Sequence, residues 1–130
     1  LDREIGDAIL AASTQPIRDL IGKTTLKQML ACLNRASLVI APDTGPAHMA
    51  VTQRTPVLGL YAHSNPGRTG PYLYQDYACS AYKQHIQAQQ NKALKDIKWG
   101  TRAKGKDLMS SIRVDEAKQQ FDRLVADFNL

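Results

Sequence analysis

An α/β fold, a parallel sheet flanked by helices, is predicted by two features of this 130-residue chain. Short β-branched and aliphatic runs alternate with segments of helical period, the signature of parallel strands joined by helical crossovers. The stretch Asp43-Thr44-Gly45-Pro46-Ala47-His48 stands directly behind one such run and opens a helix-compatible segment. No Gly-x-Gly-x-x-Gly or P-loop occurs, and the opening strand and glycine-rich turn of a dinucleotide fold are missing, so the pattern reads as half of a Rossmann-like sheet. The length suits one domain over 1–130 and not two.

Each element follows from its spacing. Ile5, Ala8, Ile9 and Ala12 recur at helical spacing opposite Asp2, Arg3, Glu4 and Asp7, giving an amphipathic first helix. Ile17 to Ile21, ended by Gly22, is a strand candidate. Thr24 or Thr25 then caps a helix whose Leu26, Met29, Leu30 and Leu33 form a core stripe, with Cys32 read as a core thiol. Leu38 to Ile40 and Pro56 to Tyr61 are strands, with a short helix from Pro46 to Val51 between them. Residues 63 to 72, HSNPGRTGPY, carry two prolines and two glycines and read as an irregular loop. From 83 to 106 seven Lys or Arg stand against one acid, which reads as a basic insertion, a loop with a short helix, or a surface leaning on anionic headgroups. Over 113–129, Val114, Ala117, Phe121, Leu124, Val125 and Phe128 keep helical spacing behind Asp115 and Glu116, so a last helix docks on the sheet.

The chemistry concentrates at the strand-to-helix turn. Thr44 is placed as an N-cap, Pro46 fits the first helical turn, and Gly45 lets another molecule approach the backbone closely. Unpaired amides and the positive end of the helix dipole make such a start an anion site, with phosphate the expected anion. Asp43 can accept from a hydroxyl and His48 can donate to an oxygen; Arg68, emerging at the same carboxyl edge, can meet an anion. A self-capped turn, a packing histidine and a solvated arginine are the plain structural alternatives.

Composition narrows the partners. The net charge of +5 favours anionic ones. No apolar run approaches the roughly 20 residues that a membrane span needs. Cys32 and Cys79 show no ligand-like spacing, and no metal is expected. A start at Leu1 reads as a piece cut from a longer protein, in a reducing cytoplasm.

DTGPAHMA, then TPVLGLY, then NPGRTGPY together resemble the carboxyl-terminal half of glycosyltransferase family 9, the heptosyltransferases, with weaker agreement through DREIGDAI, GKTTLKQMLACLNRASLVI and LMSSIRVDEAKQQFDRL. The resemblance implies the donor-binding half of a bacterial GT-B enzyme that moves heptose from ADP-heptose to the lipopolysaccharide inner core. The cytoplasmic face of a Gram-negative inner membrane is the implied location, with peripheral contact to anionic lipid. It also implies that Thr44 and Gly45 cradle the diphosphate, that Asp43 contacts sugar hydroxyls, and that His48 sits beside the phosphate-sugar region. Thr24 would border the adenine, and Glu4 would reach the ribose.

The catalytic aspartate and a diphosphate-assisting lysine of that family lie outside this stretch, so no catalytic residue is assigned and the fragment alone is expected to be inactive. His63 stands where Gly is common, Asn65 where Asp is usual, and the basic tract replaces a cysteine-containing segment. The competing class, suggested by charge alone, is a basic module that binds nucleic acid or a membrane surface without catalysis.

Overall fold

The computed structural model describes residues 2–130. Three parallel strands, β1 (Val39–Pro42), β2 (Val57–Tyr61) and β3 (Cys79–Ser80), form a sheet in the order β1-β2-β3. Val39 pairs with Val57 and Pro42 with Leu60; Leu60 pairs with Cys79 and Tyr61 with Ser80. Six α-helices accompany them among the described residues: α1 (Asp2–Ala12), α2 (Leu26–Arg35), α3 (Gly45–Thr52), α4 (Pro66–Thr69), α5 (Tyr82–Gln90) and α6 (Val114–Phe128). The expected α/β architecture with a parallel sheet is present.

β2 is central and apolar on both faces, so successive residues feed different cores. Val57 joins Ala41, Ala47, Ala50 and Tyr74 beneath α3, with Leu33 of α2 packed alongside. Leu58 joins Cys79 and Leu124 beneath α6. The last helix therefore docks on the sheet through Leu124, as its periodicity predicts. Tyr74 donates a hydrogen bond from its hydroxyl to the Arg54 carbonyl at 2.7 Å, tying the loop after α4 to the end of α3.

Three expectations need correction. Ile17 to Ile21 is not a strand: Asp19 accepts from the Ile21 amide through its side chain, and the Lys23 amide donates to the Leu20 carbonyl, bending the segment into a turn. Contacts of Asp19 with Lys23, the Ile21 amide and Arg3 hold its carboxyl well below the usual range. Cys32 is exposed and Cys79 is the buried thiol, because α2 turns only part of its stripe inward and leaves Leu26 in solvent. Residues 63 to 72 are not wholly irregular: Asn65 caps the single turn α4 by accepting from the Gly67 amide at 2.9 Å. The cap expected at Thr24 or Thr25 is Thr25, which completes a capping box with Gln28.

Burial raises the Cys79 thiol, with Glu116 adding to it, to about 11. Burial likewise raises the Tyr61 phenol, with Asp43 adding to it, to about 12. Both folded values exceed the unfolded ones of 9.0 and 10.0. Their stabilisation is thus complete below pH 9 and is lost as pH rises towards 12, because the unfolded chain gives up these protons first. Urea titrations stepped from neutral to strongly alkaline pH should show the midpoint falling once pH passes 9; a midpoint that stays level would contradict this burial.

Candidate functional site

The site is built at the carboxyl end of β1. The chain leaves the sheet at Pro42, and α3 begins three residues later. Thr44, the N-cap residue, makes no capping bond with its side chain; its hydroxyl instead turns back to the Pro42 carbonyl at 3.3 Å. The start of α3 is therefore not closed by the protein's own hydroxyl. Gly45 is exposed, has no positive φ, and would meet no heavy atom within 4 Å if it carried a Cβ. No positive φ and no packing beyond the adjacent Pro46 requires glycine there, and the missing side chain leaves the backbone open to close approach by another molecule.

Asp43 organises the surrounding loops. Its Oδ2 accepts from the buried Ser64 hydroxyl at 2.5 Å and from Thr69 Oγ1 at 3.1 Å. Its Oδ1 faces His48 Nε2 of α3 at 3.4 Å. One carboxylate thus ties β1, α3 and the α4 segment together, leaving Oδ1 as the less committed oxygen. Tyr61 fixes the same loop from beneath by donating to the Thr69 carbonyl at 3.1 Å. With its phenol raised to about 12, Tyr61 stays neutral near pH 7 and keeps the proton it donates to the Thr69 carbonyl.

A cavity of about 120 Å³ opens beside this turn, lined by Asp43, His63, Ser64, Arg102 and Met109 among others. Ser64 and Arg102 were not singled out by the sequence. Ser64 could have been sought just past the end of β2, where ligand-facing residues gather in parallel sheets. Arg102 carried no local signal, since it comes from a segment folded back over a long separation.

The other candidates lie apart from the Asp43 cluster. Arg68 is exposed on α4, and a Cβ added at Gly100 would lie 3.6 Å from its guanidinium carbon. Thr24 is half-buried ahead of α2, and Glu4 is on an exposed part of α1. Neither is among the groups that meet Asp43. A larger cavity between α1 and residues 17–21 is apolar, lined by Gly6, Ile9, Leu10, Leu20 and Ile21 with others. Among the described residues no group of three or more His, Cys, Asp or Glu could hold a metal ion, and no helix is long and apolar enough to cross a membrane.

The sheet and its flanking helices define an α/β domain of Rossmann-like kind that keeps an open helix start at a strand's carboxyl end. The family model described as glycosyltransferase family 9 (heptosyltransferase) matches residues 2–98, and the chain belongs to that family. It is similar to the lipopolysaccharide core heptosyltransferase OpsX of Haemophilus influenzae, 42% identical over 121 residues that make up 93% of this chain and 35% of that protein. It is also similar to lipopolysaccharide heptosyltransferase 2 of Salmonella typhimurium, 32% identical over 57% of this chain and 22% of the relative. Lipopolysaccharide heptosyltransferase 3 of Escherichia coli strain K12 is 40% identical over 37% of this chain and 14% of the relative. The chain thus spans about a third or less of the curated relatives it matches. No solved structure gives a significant match.

Proposed function

We propose that this domain holds the nucleotide-sugar donor of a glycosyltransferase that transfers heptose from ADP-heptose to the lipopolysaccharide inner core. It would be the carboxyl-terminal half of a GT-B enzyme whose other half carries the acceptor and the base. The observation that carries the reading is the uncapped start of α3 behind β1, with Gly45 open to approach. Family membership and the relatives' names support the reaction class. The alternative suggested by charge, a basic nucleic-acid or membrane-surface module without catalysis, is not favoured by that membership.

The chemistry follows from charge. An acceptor hydroxyl attacks the anomeric carbon as its proton passes to the base of the other half, the bond from that carbon to the diphosphate oxygen breaks, and negative charge grows on the departing ADP. Amides at Thr44 and Gly45, backed by the α3 dipole, would stabilise the departing diphosphate, which gains a negative charge, more than the already anionic diphosphate ester of the ground state. Asp43 Oδ1 would accept from a sugar hydroxyl, and His48 would donate to the phosphate-sugar region. Arg68, Thr24 and Glu4 would contribute only at the periphery of the donor. The reading requires no metal. It places the enzyme at the cytoplasmic face of the inner membrane, in peripheral contact with anionic lipid.

Calorimetric titration of ADP and ADP-heptose into the full-length protein tests this directly. His48→Ala should weaken ADP-heptose about 10-fold, the scale of one lost hydrogen bond to a charged group. Thr44→Val should weaken both ligands by a few-fold at most, since its hydroxyl is directed to Pro42. Undiminished affinity in both variants would remove the donor site from this turn.

A further inference from the structure

The basic tract after α5 is not a loose appendage. Its far end returns to the carboxyl edge of the sheet, where the Ala103 amide donates to the His63 carbonyl at 2.8 Å and His63 Nδ1 lies 3.2 Å from the Ala103 carbonyl oxygen. Ala103 is buried with Tyr82 and Ile86 of α5. On one side, the Thr101 carbonyl accepts from the Tyr82 hydroxyl at 2.7 Å. On the other, Lys104 exchanges two backbone hydrogen bonds with the Gln89 amide group, at 2.6 and 2.8 Å. Arg102 therefore sits on a backbone clamped at residues 101, 103 and 104.

Its side chain has no such partner. Arg102 enters no ion pair or side-chain hydrogen bond among the described residues, yet it lines the same cavity as Asp43 and Ser64. No ion pair joins it to Asp43, whose carboxylate accepts from Ser64 and Thr69 and faces His48. A free guanidinium on a fixed backbone, lining the cavity that Pro42 and Asp43 of the turn before α3 also line, suits a planar bidentate grip on phosphate oxygens. The immobilised backbone lowers the entropy cost of that grip.

Building on the nucleotide-sugar reading, we infer that Arg102 is a second diphosphate-binding element of the site, delivered by the His63–Ala103 pairing. His63 and the basic tract then serve one purpose. His63 is a positioning residue and Arg102 contacts the ligand. The leaving ADP would meet α3 amides and a side-chain cation together.

The test is ADP titration into the full-length protein carrying Arg102→Gln, Arg102→Lys or, as a control from the same tract, Lys92→Gln, with thermal melts to verify folding. Arg102→Gln should weaken ADP about 10- to 100-fold, as expected for losing charge-assisted bonds to phosphate. Arg102→Lys should recover part of that loss, and Lys92→Gln should change affinity less than about twofold. Equal losses in Arg102→Gln and Lys92→Gln would mean a diffuse field and overturn the inference. So would unchanged ADP affinity in Arg102→Gln, whether or not the KM of the acceptor rises; a rise would assign the arginine to an acceptor anion. Failure of the unaltered protein to bind ADP would instead sink the nucleotide-sugar reading itself.

Discussion

Gly45→Val should leave the domain folded and reduce nucleotide binding at least about 100-fold, the largest functional effect expected of any single change. The separation of the two outcomes is what makes the substitution informative. Beyond its chain neighbours a Cβ at Gly45 meets nothing within 4 Å, so the valine side chain starts into open space. Its cost in the first turn of α3 combines the weak helix preference of a β-branched residue with the crowding that Pro46 imposes on the residue before it, and the urea titration measures that sum. The two methyl groups would nevertheless stand in front of the backbone that a diphosphate must approach, and several amide-to-phosphate bonds would lengthen together. Calorimetry for ADP beside a urea titration measures both quantities. Binding that survives intact would mean the ligand approaches elsewhere.

Leu124→Ala should be the most damaging core change, costing about 2–5 kcal/mol. Leu124 is 0% exposed and sits with Leu58 and Cys79 where α6 meets the sheet. Ile112 and Ala117 pack on the same cluster, so the side chain plugs a joint formed from several elements. Small domains are stable by only about 5–15 kcal/mol in total, so this loss takes a large share. The urea midpoint should fall steeply, whereas an equivalent truncation at exposed Val114 on the same helix should change it little. Similar midpoints for the two variants would contradict the docking of α6.

What the sequence made legible was local. Val39 and Ile40 mark a strand by branching, and Gly45-Pro46 mark a helix start by their backbone preferences, so the strand-to-helix turn could be placed within a residue or two. Leu124 and its helical neighbours placed α6 for the same reason. The apolar residues between Ile17 and Ile21 misled, because Asp19 sits among them and its side chain folds the backbone into a turn that hydropathy does not register. β3 has only two residues and shows no period. Cys32 fell on a helix only partly turned inward.

The site divides in the same way. Asp43 and His48 lie five residues apart on one turn, and that proximity could be read directly. Ser64 and Thr69 reach Asp43 across 21 and 26 residues, and Ala103 reaches His63 across 40. Such pairings depend on how the sheet and α5 bring distant loops together, and a single sequence carries no local trace of them. The basic tract accordingly reads as a solvated insertion from composition, although its backbone is fixed against the sheet edge at Ala103.

Nitrogen-15 amide spectra of the full-length protein titrated with ADP would address the diphosphate cradle most directly. The Thr44 and Gly45 resonances should move first and farthest and saturate together with the calorimetric curve. If ADP binds while those two amides hold their positions and the perturbed signals fall elsewhere, the helix start is not where the phosphates rest.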